Sequence, residues 1–197
     1  MEIIIANAAK RDLRPDISRI FVEGFYDWLK FFSKDKTKLA RTFAHIFNPD
    51  VFYVAIENDT ALGFAACTNG RVPSIQLKQR EFRRHLGFIM GTIAYYVLKR
   101  EFEDKPYPFE IQPTMGTIEF VATDRHSRGR GVATQIIQHI HEHTPYHSYA
   151  LEVADTNTKA VHLYEKLGYQ TFKKVPEKHA KRSGFDFYLY MKYTKPR

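Results

Sequence analysis

A glycine-rich stretch joins a strand-like segment of the chain to a helix-like one. Residues 116–123 are dominated by β-branched, aromatic and other apolar residues, which predicts a strand. The stretch from Arg128 to Ala133 follows, and apolar residues then recur at helical spacing until Pro145 ends the pattern. We therefore expect a strand, a tight loop and a helix in this order.

The loop has the composition of an anion-binding site. A helix N-terminus presents unpaired N–H groups and about half a positive charge. Gly129 and Gly131 lack a Cβ atom, so a phosphate group can approach the backbone closely. Arg125, Arg128 and Arg130 add positive charge around it. The pattern favours a phosphate-binding loop, and a glycine turn with solvated arginines is the structural alternative.

Two other types of phosphate-binding loop can be tested by comparing the chain with their sequence motifs. No G-x-x-x-x-G-K-[ST] string occurs in the chain. A dinucleotide fingerprint would need glycine or alanine at the position of Thr134. Glu152 does lie about 20 residues further on, where a ribose-binding acid would stand. A dinucleotide-binding site would leave the next motif unexplained, so this hypothesis ranks low.

A second block begins after a predicted strand at 148–153. Residues 155–157 supply side chains typical of a helix N-cap, and Tyr164 falls on the apolar stripe of the helix that follows. Gly168 is placed to end that helix in the left-handed conformation. An ordinary core tyrosine would fit the spacing too, but Asn157 at the mouth of the same helix favours a functional cleft.

The two blocks resemble motifs A and B of the GCN5-related N-acetyltransferase (GNAT) superfamily. The stretch from Arg128 to Ala133 is similar to that family's R-x-x-G-x-[GA] loop. The second block is similar to its N-x-x-A-x-x-x-Y-x-x-x-G-[FY] helix through Asn157, Ala160, Tyr164, Gly168 and Tyr169. The resemblance is specific over residues 116–175 and fainter in the N-terminal half.

The resemblance implies an acetyl-CoA-dependent N-acetyltransferase. The loop would hold the pyrophosphate of acetyl-CoA through backbone amides, and Asn157 would help to hold the pantetheine arm. Tyr164 would act as general acid toward the departing thiolate, and a backbone N–H near Val121 or Ala122 would hold the carbonyl oxygen. The residues expected to contact acetyl-CoA are Val121, Ala122, Thr123, Arg128, Gly129, Arg130, Gly131, Val132, Ala133, Thr134, Asn157, Ala160 and Tyr164.

Two carboxylates are candidates for the base that deprotonates the acceptor amine. Glu119 lies between Ile118 and Phe120, and strand alternation puts it on the opposite face from both. Members of the family often carry an acid there that works through water, so Glu119 is preferred. Glu152 stands in an L-E-V string similar to that of ribosomal-protein N-terminal acetyltransferases. Structural roles for both, with solvent or substrate handling the proton, form the third alternative.

The residues that bind the acceptor amine are predicted less precisely than those that bind acetyl-CoA. Helices are expected near 13–31 and 35–46, and in the family this region shapes the acceptor pocket. Glu23, Tyr26 and Trp28 are therefore expected to line it, although the surrounding aromatic residues are mostly core by their spacing. We expect a primary amine of a small molecule or peptide as the acceptor, and the sequence does not name it.

The chain is expected to form one domain, 1–197, with an α/β mixed sheet in the order β-α-α-β-β and then β-α-β-α-β-β. Its acetyl-CoA-binding core is 116–175, and 70–115 is a helical insertion between the third and fourth strands. Residues Gln76 to Glu101 predict one helix whose apolar half, from Leu86, packs on the core. A homodimer contact or a wall of the acceptor site are the alternatives for that half.

Composition bounds the remaining functions. The net charge of +8 suits a polyanionic cofactor, and also leaves a nucleic-acid-binding protein as an alternative, beside a CoA-binding module without catalysis. The basic residues are spread along the chain rather than clustered, and no DNA- or RNA-binding motif is visible. Cys67 is the single cysteine and lies outside both motifs, so we expect direct acetyl transfer without an acyl-enzyme.

Location and metal content follow from what the sequence lacks. The N-terminus has no basic flank of a signal peptide, and the longest apolar run is too short for the roughly 20 residues that span a bilayer. A cytoplasmic, membrane-free protein is expected. His139, His141, His143 and His147 cluster in sequence, but no H-E-x-x-H string occurs, so we expect no metal site.

Overall fold

The computed structural model describes residues 1–196, and its centre is a seven-stranded mixed sheet with the strand order β1-β2-β3-β4-β5-β7-β6. Strands β4 and β5 are parallel, and every other neighbouring pair is antiparallel. The strands are β1 (Glu2–Ile5), β2 (Phe52–Glu57), β3 (Thr60–Thr68), β4 (Met115–Thr123), β5 (Ser148–Ala154), β6 (Gln170–Pro176) and β7 (Phe187–Thr194).

Helices cover both faces of the sheet and define two hydrophobic cores. The helices are α1 (Arg14–Gly24), α2 (Tyr26–Leu29), α3 (Lys36–Phe43), α4 (Gln79–Leu86), α5 (Phe88–Leu98), α6 (Val132–His143), α7 (Thr158–Lys166) and α8 (Ala180–Ser183). The first core joins α1, α3, α4 and α5 to one face, around Phe21 and Phe43. The second core joins α6 and α7 to the other face, around Ile136 and Tyr149. Burial of these apolar side chains holds the helices on the sheet.

The mixed sheet and the helical insertion between β3 and β4 confirm the predicted fold class. The last two strands pair as an antiparallel hairpin, and β7 lies between β5 and β6 in the sheet. Gly184 follows α8 in the connection of that hairpin, with a left-handed φ of 78°.

Two predicted helices are each divided in the structure. The helix expected over 13–31 breaks at Phe25 into α1 and α2. The helix expected over 76–101 was also wrong as one element, because Gly87 takes a φ of 84° between α4 and α5. Such a backbone conformation is open to glycine and strained for other residues, so this single residue sets the turn. A glycine inside an apolar helical pattern is easily overlooked.

Only one face of α5 packs as predicted. Ala94 and Leu98 are fully buried in the first core. Phe88 and Ile89, in contrast, are more than two-thirds exposed at 71% and 74%. The apolar half of the insertion is therefore buried on one face and exposed to solvent on the other. Within residues 1–196, no helix combines the length and apolarity that crossing a membrane requires.

Candidate active site

A wedge-shaped opening in the sheet marks the candidate site. Strands β4 and β5 are paired from Met115 and Ser148 as far as Ile118 and Leu151. Beyond that point β4 stays paired with β3, and β5 stays paired with β7. The two parallel strands therefore separate at their carboxyl ends, which is where ligands bind in open α/β sheets.

A bulge in β4 exposes backbone toward this opening. Ala66 pairs with Glu119 whereas Phe64 pairs with Ala122, so β4 contains one extra residue. Phe120 takes a φ of 53°, which is unfavourable for a bulky side chain and is found where surrounding structure enforces it. The β5-facing edge of β4 has no strand partner in the described residues from Glu119 to Thr123. The backbone near Val121 and Ala122 is thus available to a ligand in the opening.

The glycine loop ends at the N-terminus of α6, as predicted. Gly129 and Gly131 have left-handed φ values of 77° and 75°, and Gly131 is the N-cap of the helix. The first helical hydrogen bond joins the Gln135 N–H to the Gly131 carbonyl at 3.0 Å. The amides of Val132, Ala133 and Thr134 therefore lack an intrahelical partner, which is the arrangement that binds phosphate.

The arginines of the loop have different surroundings. Arg130 forms a 2.7 Å ion pair with Glu57 at the end of β2, and both side chains are partly exposed. No ion pair within residues 1–196 involves Arg128, which is exposed. Asp124, just before the loop, binds Arg19 of α1 at 2.6 Å and accepts from the His126 N–H at 3.0 Å. Asp124 thereby ties the loop to α1.

Helix α7 supplies the other residues predicted to contact acetyl-CoA. The side-chain oxygen of Asn157 accepts from the Ala160 N–H at 3.4 Å, which confirms Asn157 as the N-cap. Tyr164 is only 7% exposed, and its hydroxyl forms no hydrogen bond among the described residues. Burial raises the pKa of Tyr164 to about 12, so the phenol is protonated at neutral pH.

Glu119 occupies the first position of β4 beyond the last pair with β5. Its carboxylate accepts hydrogen bonds from the hydroxyls of Ser74 at 2.5 Å, Tyr107 at 2.5 Å and Thr117 at 3.1 Å. Burial raises the pKa of Tyr107 well above its ordinary value, and the negative charge of Glu119 is the second cause of this rise. Tyr107 is therefore a hydrogen-bond donor to Glu119 and stays protonated.

The bulge overturns one predicted detail of Glu119. Glu119 lies opposite Ala66, which belongs to the first core, while Ile118 belongs to the second core. Phe120, however, also packs against the first core. Glu119 is therefore on the opposite face from Ile118 but on the same face as Phe120, because the extra residue interrupts the alternation.

Glu152 occupies the matching first position of β5 beyond the pairing. Leu151 and Val153 face the second core, so Glu152 faces the other side, which is also the side of Glu119. Lys105 places its ammonium 2.7 and 2.8 Å from the two carboxylate oxygens, and the hydroxyl of Tyr190 donates to one of them at 2.5 Å. Both predicted base candidates thus stand side by side at the start of the opening.

A short segment of the insertion covers both carboxylates. We call residues 105–109 the strap: Lys105 binds Glu152 and Tyr107 binds Glu119. Lys173 of β6 donates to the Pro108 carbonyl at 2.5 Å, and Phe109 packs on Tyr190 with ring centroids 5.7 Å apart. The prolines at 106 and 108 predict an extended backbone here, but they do not predict which residues the strap contacts.

The three residues predicted to line the acceptor pocket lie near α1 and α2. Glu23 is half-buried, and its Oε2 atom is buried without a hydrogen-bond partner. Tyr26 donates to the Lys34 carbonyl at 2.9 Å. Trp28 is 41% exposed and packs against Phe102 of the insertion at 5.8 Å. Of the three, Glu23 alone has a buried polar atom without a hydrogen-bond partner among the described residues.

The single cysteine lies nearer to the site than its place in the sequence indicates. Cys67 pairs with Ile118, one residue before Glu119. Its side chain is buried in the second core, and burial raises its pKa to about 12. A thiol in this state is a poor nucleophile, since the thiolate is the reactive form.

Of the four clustered histidines, for which no metal site was expected, His139, His141 and His143 lie on α6 and His147 follows the helix. The rings of His139 and His143 stack 3.9 Å apart, and His141 is buried against Tyr169 with a 2.7 Å contact to its hydroxyl. Burial lowers the pKa of His141 to about 4, so this ring is neutral. Within residues 1–196, no group of three or more His, Cys, Asp or Glu side chains is arranged to hold a metal ion.

The opening, the bulge and the free helix N-terminus lie where the sequence predicts a site for a phosphate-bearing carrier. The family model described as "Acetyltransferase (GNAT) family" matches residues 15–169, so the chain belongs to the GNAT acetyltransferase family. It is accordingly an acetyl-CoA-dependent N-acetyltransferase. No curated protein sequence matches the chain.

Solved structures agree in fold. An N-acetyltransferase from Staphylococcus aureus Mu50 is 16% identical, with a TM-score of 0.65 over 98% of this chain and 100% of that one. An aminoglycoside 6'-acetyltransferase type Ii is 15% identical, with a TM-score of 0.59 over 100% and 99%. A ribosomal-protein-alanine N-acetyltransferase from Brucella melitensis is 13% identical, with a TM-score of 0.56 over 99% and 100%. At these identities the likeness concerns the fold alone.

Proposed function

We propose that the chain transfers the acetyl group of acetyl-CoA directly to a primary amine of a small molecule or peptide, without an acyl-enzyme. The observation that supports this most is the separation of β4 from β5, with unpaired backbone on one side and two carboxylates at its start. Cys67 does not offer a covalent route, because it is buried in the opposite face with a raised pKa. Acetyl-CoA supplies an acetyl group already activated as a thioester.

The residues present fit acetyl-CoA at two places. The unpaired amides of Val132, Ala133 and Thr134 suit its pyrophosphate, and Arg128 adds charge beside them. The unpaired edge of β4 and the N-cap of α7 suit the extended pantetheine arm, which would contact Thr123, Asn157 and Ala160. Arg130 would contribute only after leaving Glu57, since its guanidinium is already paired.

In this proposal, two groups would stabilise charge and transfer a proton as the thioester is cleaved. The backbone near Val121 or Ala122 would hold the carbonyl oxygen as negative charge develops on it. Tyr164 would give its proton to the thiolate that leaves. Burial of the residue raises the pKa of Tyr164 to about 12, so the phenol is protonated at neutral pH, and its hydroxyl forms no hydrogen bond with another described residue.

For the base we favour Glu119, acting through a water molecule or a neighbouring hydroxyl. Four hydroxyl groups hold its carboxylate at the start of the opening, the fourth being that of Thr68 at 3.4 Å, and none of them is a cation. Glu152 is paired with the Lys105 ammonium and would need to lose that partner first. Glu23 lies on the same side of α1 as Arg19, one helical turn away, and its unpaired oxygen is buried, so it would contact the acceptor only after the side chain moves.

A screen of amines tests the proposal. The protein would be incubated with acetyl-CoA and aliphatic amines, aminoglycosides or peptides, with acetylated products detected by mass spectrometry and free CoA measured in parallel. We expect equal amounts of acetylated amine and CoA with at least one acceptor class. Release of CoA without acetylated amine across all classes would contradict N-acetyl transfer.

A further inference from the structure

An ammonium group of the protein itself already lies at the start of the opening, bound to Glu152. The Lys105 Nζ atom is bound by both oxygens of Glu152, at 2.7 and 2.8 Å. It also lies 3.6 Å from the ring centroid of Tyr188, well within the range of a cation–π contact. The carboxylate and the aromatic ring together form a site that recognises a primary alkylammonium group.

The binding groups do not depend on the strap that carries Lys105. Glu152 belongs to β5, while Tyr188 and Tyr190 belong to β7, and Tyr190 is the direct strand partner of Glu152. The Tyr190 hydroxyl donates to Glu152, and burial raises the pKa of both tyrosines above the ordinary value. Glu152 and the two tyrosines are therefore held in place by the sheet, and we call them the ammonium cage.

The position of the ammonium cage relates it to the acceptor. Glu152 is the first residue of β5 beyond the pairing with β4, and it faces the same side as Glu119. A group bound by Glu152 therefore lies beside the predicted base and at the start of the opening. Lys105 itself is 30% exposed and sits on a loop segment, which can move without disturbing the sheet.

We propose that the ammonium cage binds the primary ammonium group of an aliphatic acceptor, and that Lys105 occupies it as an internal competitor until the acceptor displaces it. This inference rests on the proposed function, because it specifies the acceptor of the same site. It narrows the acceptor class from any primary amine to cationic alkylamines. It also gives the strap a task, since the acceptor gains access to Glu152 only when Lys105 leaves.

The test uses Lys105→Ala and n-propylammonium chloride, without acetyl-CoA, so that binding is measured independently of catalysis. Calorimetry or NMR titration should show binding roughly tenfold tighter than to the unmodified protein, because the competitor is gone. n-Propanol, which has a similar shape but no charge, should not bind. Lys105→Ala combined with Glu152→Gln should lose the gain.

The chain offers a matched control in Lys99. Lys99 lies in the same insertion and forms comparable ion pairs with Glu103 at 2.9 Å and Asp104 at 2.7 Å, but no described aromatic ring contacts its ammonium. Lys99→Ala should therefore bind propylammonium no better than the unmodified protein. Lys105→Ser provides a second variant if Lys105→Ala fails to fold.

Two results would overturn the inference. One is equal propylammonium binding by Lys105→Ala, Lys99→Ala and the unmodified protein, which would make the Lys105 contact an ordinary surface ion pair. The other is binding that survives Glu152→Gln. Propylammonium binding without acetylation of any amine would instead retain the ammonium cage and contradict the proposed function, so the two failures are distinguishable.

Discussion

The two sides of the opening differ in how their polar groups are used. On the side of α6 and α7, backbone amides at the helix N-terminus and the Tyr164 hydroxyl have no partner among the described residues. On the side of the insertion, Glu119 and Glu152 are fully engaged by the strap and its neighbours. The first side is open, and we propose that acetyl-CoA binds there. The second side is filled by side chains of the strap and its neighbours.

The largest expected effect concerns the open side. Tyr164→Phe should lower kcat by about 100-fold or more, because a positioned general acid contributes roughly that much. The dissociation constant of acetyl-CoA should stay nearly constant, since the hydroxyl acts only as the thiolate leaves. Steady-state kinetics and calorimetry measure the two quantities separately.

Tyr169→Phe is the control for that variant. The Tyr169 hydroxyl contacts His141 at 2.7 Å, so its loss should lower stability rather than turnover. If Tyr164→Phe weakens acetyl-CoA binding as much as it slows turnover, Tyr164 is not the general acid.

A second prediction compares two glycines with the same backbone conformation. Gly131→Asp should raise the dissociation constant of acetyl-CoA by about 30-fold or more, because a carboxylate at the α6 N-cap repels phosphate. Gly184→Asp introduces the same side chain at a φ of 78°, in the connection between β6 and β7, and should leave the affinity unchanged. Calorimetric titration of both variants checks this.

If the two glycine variants lose similar affinity for acetyl-CoA, backbone strain or the change in net charge is the cause of the loss. The assignment of the α6 N-terminus to phosphate would then be wrong.

The third prediction separates the two carboxylates of the filled side. Glu119→Gln should lower kcat by roughly 10- to 100-fold, because the base is lost. Glu152→Gln should chiefly raise the KM of a cationic amine, by about tenfold or less, because an ion-pair partner of the acceptor is lost. Acetyl-CoA affinity should change little in either variant.

The reverse pattern would exchange the two roles: a fall of kcat in Glu152→Gln and a rise of KM alone in Glu119→Gln. Thermal unfolding of both variants serves as the check that the strap remains folded onto the sheet.

The smallest expected effect is that of Cys67→Ala. Turnover should stay within about threefold, because the thiol is buried on the opposite face from Glu119 and its pKa is raised to about 12. Intact-mass measurement of the unmodified protein with acetyl-CoA should show no acetyl group on this cysteine. An acetylated Cys67 that decays as amine is added would contradict direct transfer.

The open side could be predicted from the sequence because each part of it is local. Gly131 caps the helix that follows it, and Asn157 and Tyr164 lie on one helix, so spacing alone determines their relation. The filled side depends on contacts between distant residues. Lys105 meets Glu152 and Tyr188 only after the insertion returns across the sheet, and no spacing rule connects these positions.

Two fold details escaped prediction for the same kind of reason. The bulge at Phe120 depends on how β4 pairs with β3, and this register cannot be inferred from the sequence of either strand alone. The break at Gly87 had a local signal, but the apolar residues on both sides carried the helical pattern across it.

Calorimetric titration with acetyl-CoA, desulfo-CoA and NAD tests the contrast between the two sides most directly. We expect micromolar binding of acetyl-CoA and desulfo-CoA and no binding of NAD. We also expect the same affinity in Lys105→Ala, because the strap lies on the insertion side of the opening. Absence of acetyl-CoA binding, or equal binding of NAD, would contradict the assignment of the open side to this carrier.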